Sequence, residues 1–241
     1  MKPLPFSQRA PAWAVHGYTA LGVVIAFASL RAIAAGDFRA AFLWLSLAVA
    51  VDASDGALAR AVDVKRRLPE LDGARLDDIV DYLTFVFVPF ALMHTAELLT
   101  GPLGLLATAA ALWTSALRFC HSAAKTEDHF FTGFPSYWNV IALYLYLFSA
   151  PPGLSGALIL VLSGLVLAPL RFLYPSRMKQ LRATTNVLGL LWGIAVLTVL
   201  WRLPERSTFL AALSLLYPAY YAGLSFYLQW KGAEASRATT R

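Results

Sequence analysis

The chain has 241 residues, of which 59% are hydrophobic and only 14% charged, whereas a soluble domain carries about 25% charged residues and needs them to cover its exterior. That balance excludes an ordinary water-soluble globule and predicts a polytopic membrane protein, an all-α transmembrane helical bundle. The net charge of +6 reads as loop charge facing anionic lipid and not as a nucleic-acid surface, and the single cysteine, Cys120, excludes an intramolecular disulfide.

A helix crosses the hydrocarbon in about 20 residues, so runs free of charge mark the spans in chain order. Ala10–Leu30 is the first such run. Lys2 and Arg9 before it and Ala32-Ile33-Ala34 after it resemble a secretory signal, but the apolar stretch is about twice the usual length, and it reads as a retained helix. Ala40–Val51, Tyr82–Ala96 and Leu98–Leu117 follow, then a long run from His129 to Leu170 that accommodates two crossings, with Pro151-Pro152-Gly153 as the hairpin between them. Ala183–Trp201 and Ser207–Trp230 complete the set. The result is about eight predicted segments, near 12–34, 38–61, 76–98, 103–124, 135–150, 154–174, 181–202 and 207–230, in one domain covering 1–241. Of the 20 Lys and Arg, all but Arg31, Arg39, Arg202 and Arg206 then fall on one side, and the positive-inside rule places both termini in the cytoplasm.

The second and third segments reach full length only by including aspartates. Asp52, Asp55, Asp63, Glu70, Asp72, Asp77, Asp78 and Asp81 make up more than half of the 14 acidic residues. Asp52 and Asp55 share one helix face, as do Asp77 and Asp81 on the next helix, and the intervening loop reverses the chain. Four carboxylates converging at a membrane boundary repel one another and are costly to desolvate. They require cations, and oxygen ligands without His or Cys select Mg²⁺, Mn²⁺ or Ca²⁺. Two divalent ions bridged by such ligands suit phosphoryl chemistry. Asp63, Glu70, Asp72 and Asp78 read instead as partners for Arg60, Lys65, Arg66, Arg67 and Arg75.

Written out, the segment is Asp52-Ala-Ser-Asp55-Gly56-Ala-Leu-Ala59-Arg60, twelve residues, then Gly73-Ala-Arg-Leu-Asp77-Asp-Ile-Val-Asp81. It resembles the signature of the CDP-alcohol phosphotransferase family, membrane enzymes of phospholipid synthesis, and the twelve-residue spacer is similar to that of its bacterial phosphatidylcholine-forming branch. The resemblance implies that Asp52, Asp55 and Asp77 ligate Mn²⁺ or Mg²⁺, and that Asp81 is both a ligand and the base that deprotonates the acceptor alcohol. It also implies a CDP-lipid site made by Asp52, Gly56, Ala59, Arg60 and Gly73. On physical grounds the two glycines let a nucleobase lie against helix backbone, Ala59 keeps the groove shallow, and Arg60 pairs with a pyrophosphate. CDP-diacylglycerol and membrane lipid are the implied partners, at the cytoplasmic face of a bacterial inner membrane, and the implied assembly is a homodimer.

Two features select the acceptor. Few cations lie near the site for a phosphorylated alcohol, Arg118 being the chief phosphate candidate. Aromatic residues are dense beside it: Tyr82 and Phe85 after Asp81, and Tyr137 and Trp138 at the start of the fifth segment, with Trp138 foremost and Asn139 following as a further acceptor-site candidate. Aromatic faces hold a quaternary ammonium, but Tyr and Trp also gather at membrane interfaces whatever the function. It is the Gly133-Phe-Pro-Ser-Tyr-Trp-Asn139 stretch, with Ala-Leu-Arg118-Phe before it, that resembles the phosphatidylcholine-forming branch, and this resemblance implies choline, with serine as the alternative. A cation transporter using intramembrane aspartates is the rival class, disfavoured by the glycines and arginine that accompany the carboxylates. Pro135 is suited to a helix start, Gly189 and Gly193 fit a GxxxG packing motif, His16 and His94 read as helix-packing residues, and His121 and His129 as solvated loop residues.

Overall fold

The computed structural model describes residues 4–121, 130–168, 171–173, 182–205 and 207–239; His129 lies outside them. Helix α1 (Phe6–Ala34) ends where Gly36 takes a positive φ of 73°. Asp37 then caps α2 (Phe38–Val62), its carboxylate accepting from the Ala40 N–H at 2.9 Å. Asp63, left-handed at φ 56°, closes α2 and leads into the single turn α3 (Val64–Arg67). Asp72 caps α4 (Gly73–Asp81) by accepting from the N–H groups of Ala74 and Arg75. The chain continues without a break through a π-helical stretch, Tyr82–Phe87, into α5 (Val88–Thr95). The predicted third segment is therefore one continuous helix in three parts, α-helical at both ends and π-helical between them.

Beyond it lie α6 (Gly101–Phe119), α7 (Trp138–Leu147), α8 (Pro152–Leu167), α9 (Arg182–Trp201), α10 (Thr208–Ser214) and α11 (Leu216–Thr239). The fold is helical throughout except for one short antiparallel pair among the described residues, β1 (Phe130–Thr132) against β2 (Arg171–Leu173). Phe6–Ala34, Phe38–Val62, Ala183–Trp201 and Thr208–Tyr227 are each long and apolar enough to cross a bilayer, and Trp138–Leu147 and Pro152–Leu167 are shorter apolar helices. Pro135 does not start a helix. Ser136 takes a left-handed φ of 57° and α7 begins only at Trp138, because a residue with positive φ cannot join the right-handed spiral.

The chain divides into two units, Met1–Ala96 with Trp138–Ala142, and Glu97–Tyr137 with Leu143–Arg241. In the first, α1 and α2 run antiparallel with a register set by polar pairs. Tyr18 and Ser54 hydroxyls meet at 2.8 Å, and Ser29 donates to the Ala41 carbonyl at 3.1 Å. Between these pairs Ile25 packs on Ala48 and Val51, and at the other end Ala12 and Val15 pack on Val64 and Leu68. Gly22 lets α1 approach α4 closely, since a Cβ there would overlap a Val80 methyl. The loop before α4 is tied back to α1: Glu70 pairs with Arg9, and Arg67 donates to the Gln8 carbonyl at 2.9 Å. Glu70 thus finds its cation on α1 and not among the loop basics, whereas Asp63 pairs with Arg66 and Asp72 with Arg75 as expected.

In the second unit α6 packs on α8, with Gly156 against Leu103. Some of its polar side chains are joined to one another. Trp192 donates its indole N–H to the Tyr144 hydroxyl, which also meets Ser214, both at 2.9 Å. Thr185 meets the Tyr220 hydroxyl at 3.1 Å. Gly189 of the GxxxG motif faces the Tyr217 hydroxyl of its own chain.

Candidate active site

The aspartates arise on two helices of the first unit. Asp52 and Asp55 project from the last half of α2, and Asp77 from the middle of α4, whose start is fixed by the Asp72 cap. One carboxylate oxygen from each of Asp52, Asp55 and Asp77 lies within 4.8 Å of the others. Asp55 is buried at 6% exposure, and Asp52 and Asp77 are half-buried. Three carboxylates this close repel unless a cation joins them, and an all-oxygen donor set of this kind fits a hard divalent ion. Asp81 closes α4 one turn beyond Asp77, half-buried, outside the three-carboxylate grouping and immediately before the π-helical stretch.

A third helix contributes what sequence spacing did not indicate. The Thr19 hydroxyl of α1 donates to Asp55 Oδ2 at 2.8 Å, with both residues buried. Such a bond fixes the orientation of a carboxylate and leaves its other oxygen for a ligand. One turn earlier on the same face lies His16, 6% exposed. The only trace of either in the sequence is two polar residues three apart in an apolar helix.

The two signature glycines differ. At Gly56 the nearest atom to an added Cβ is an Arg60 guanidinium nitrogen, 3.4 Å away, so the exposed Arg60 reaches back over an otherwise open face of α2 beside the half-buried Ala59. At Gly73 a Cβ would stand 2.6 Å from His16 Cε1 and 3.3 Å from Nδ1. The space vacated at Gly73 holds the His16 imidazole.

Of the acceptor candidates, Tyr82 is half-buried at the start of the π-helical stretch, and Phe85 is buried. Trp138 has no exposed surface, its ring packing 5.4 Å from that of Phe90 at 57°. Asn139 is buried, and its side-chain oxygen accepts from the Val140 N–H at 2.9 Å. Tyr137 belongs to the second unit, where its ring lies 6.3 Å from Tyr221, and Arg118 is half-buried in the last turn of α6.

A family model for CDP-alcohol phosphatidyltransferase matches residues 16–170, a span that includes all four aspartates, both glycines and Arg60. The chain belongs to that family. Among its CDP-alcohol phosphatidyltransferase relatives, the phosphatidylcholine synthase of Legionella pneumophila is 38% identical over 232 residues, spanning 93% of this chain and 91% of its own. That of Pseudomonas aeruginosa is 36% identical over 226 residues, 94% of each, and that of Bradyrhizobium diazoefficiens 38% identical over 200 residues, 83% of this chain and 74% of its own. The matched region opens at His16, so the α1 face carrying His16 and Thr19 lies within the CDP-alcohol phosphatidyltransferase region together with the aspartates.

Proposed function

We propose that the protein transfers the phosphatidyl group from CDP-diacylglycerol to choline, forming phosphatidylcholine and releasing CMP. The observation that carries this reading is the convergence of Asp52, Asp55 and Asp77 from two helices within a chain alike over nine-tenths of its length to two phosphatidylcholine synthases. Asp52, Asp55, Asp77 and Asp81 would hold two Mn²⁺ or Mg²⁺ ions. Bound there, such ions supply positive charge for a pyrophosphate and lower the pKa of a coordinated hydroxyl.

The side chains divide the remaining work. Arg60 pairs with the pyrophosphate beside the open Gly56 and Ala59 face. Asp81 takes the choline hydroxyl proton. The oxygen so freed attacks the lipid-side phosphorus, a P–O bond forms, and the bond to the CMP oxygen breaks in line. Tyr82, adjoining Asp81 with part of its surface accessible, presents an aromatic face to the trimethylammonium group. The site faces the cytoplasm, where CMP and choline are exchanged, across a bacterial inner membrane.

The test is an acceptor panel. Purified protein with CDP-diacylglycerol and Mn²⁺ receives choline, serine, inositol or glycerol 3-phosphate, and the lipid product is identified by mass. Phosphatidylcholine should dominate, and Asp81→Asn should still bind CDP while losing about 10²–10⁴ in turnover, as removal of a general base does. A phosphatidylserine product would overturn the choline assignment, and unaltered turnover in Asp81→Asn would remove that residue as the base.

A further inference from the structure

Resting on the reading of the site as one for a CDP-linked donor, we infer that His16 is a nucleotide-binding residue, its imidazole Nε2 hydrogen-bonding the cytidine nucleotide of the donor. His16 is 6% exposed, and its Nε2 is buried with no hydrogen-bond partner among the described residues. A buried imidazole nitrogen without a partner has given up its hydration with nothing in return. An apolar residue would fill the same space without that penalty, so the structure carries an unmet hydrogen bond that a ligand can satisfy.

Its position selects the ligand. Three contacts set the register of α1 along α4 and α2: His16 against Gly73, Thr19 on Asp55, and Gly22 against Val80. His16 therefore lies one turn before the carboxylates, at the Gly73 end of α4, whereas Asp81 and Tyr82 lie at the other end. The pyrophosphate must span the carboxylates, so the two ends of α4 accommodate the two sides of the reaction, nucleotide at Gly73 and acceptor alcohol at Asp81. A nucleotide placed at Gly73 cannot lie on bare backbone, because the imidazole occupies that space. It meets the imidazole instead, whose Nε2, 3.8 Å from where a Gly73 Cβ would stand, has no hydrogen-bond partner among the described residues.

The experiment uses the full-length chain in detergent with Mn²⁺, titrated with CDP and, separately, with choline. His16→Leu should bind CDP about tenfold more weakly, the usual scale of one hydrogen bond. Its KM for CDP-diacylglycerol should rise by a similar factor with the choline KM within about twofold, and melting without ligand should be undiminished because an orphaned polar atom has gone. His16→Gln, which retains a hydrogen-bonding terminus, should recover most of the CDP affinity. In the unmutated protein with ¹⁵N-labelled histidine, the His16 Nε2 resonance should move on adding CDP and stay put on adding choline. That measurement remains decisive if His16→Leu does not fold. Unchanged CDP affinity in His16→Leu, or a resonance that ignores CDP, overturns the role of His16 while leaving the family reading intact. Failure of the unmutated protein to bind CDP at all would overturn both.

Discussion

Thr19 shows how a single hydroxyl shapes a carboxylate cluster. By donating to Asp55 Oδ2 at 2.8 Å it removes one rotamer choice from a side chain that would otherwise swing away from its like-charged neighbours. Partners of this kind typically alter metal affinity about 10–100-fold, so Thr19→Val, equal in shape but without the hydroxyl, should raise the Mn²⁺ concentration for half-maximal activity at least about tenfold. Thr19→Ser should restore it. A second prediction separates two aromatic residues. Tyr82→Leu should raise the choline KM about five- to thirty-fold through loss of one cation–π contact, with the CDP-diacylglycerol KM unmoved. Trp138→Leu should instead lower the melting temperature, since its ring is wholly buried against Phe90; comparing the two KM values with the two melting curves decides. Sequence alone favoured Trp138 because composition shows that an aromatic is present and not whether its face is already covered. Spacing did expose the carboxylates, because residues three or four apart on a helix must share a face. It could not expose His16 or Thr19, whose partners Gly73 and Asp55 lie on other helices and leave no local periodicity.

At the scale of elements, the site depends on where α4 starts. Asp72 caps it through the Ala74 and Arg75 N–H groups, and Asp77 and Asp81 inherit their orientation from that first turn. Asp72→Ala should therefore cost about 1 kcal/mol, the usual value of such a cap, visible as a lower melting temperature and a higher Mn²⁺ requirement together; Asp72→Asn, also a good cap, should spare both. A fall in stability with an unaltered Mn²⁺ requirement would detach the cap from the site. The cap was legible only as a charge expected to pair with a nearby base, which it also does with Arg75. The π-helical stretch after Asp81 had no sequence signal at all, because Tyr82–Phe87 is as apolar and as helix-compatible as its neighbours. Its wider turn, with more residues per revolution, changes which faces follow Asp81, and such stretches are frequent at functional sites. Glu70 escaped for a different reason. Its partner Arg9 is 61 residues away, a pairing set by the antiparallel return of α2 along α1.

For the whole molecule, helical class and membrane character followed from composition, since 14% charge cannot clothe a soluble chain of this size. The first unit contains every residue of the signature together with His16, Thr19 and Tyr82; in the second, Tyr144, Trp192 and Ser214 are joined through their side chains. The central claim is that the carboxylates of α2 and α4 form a divalent-metal site for phosphatidyl transfer. The most direct measurement is choline-dependent CMP release from CDP-diacylglycerol by the purified chain, before and after exhaustive EDTA treatment, alongside the Asp77→Asn variant. Chelation should abolish CMP release, Mn²⁺ or Mg²⁺ should restore it, and Asp77→Asn should lose turnover and CDP binding together, because three clustered carboxylates cannot accept a pyrophosphate unaided. Full turnover after chelation, or normal CDP binding and turnover in Asp77→Asn, would contradict it.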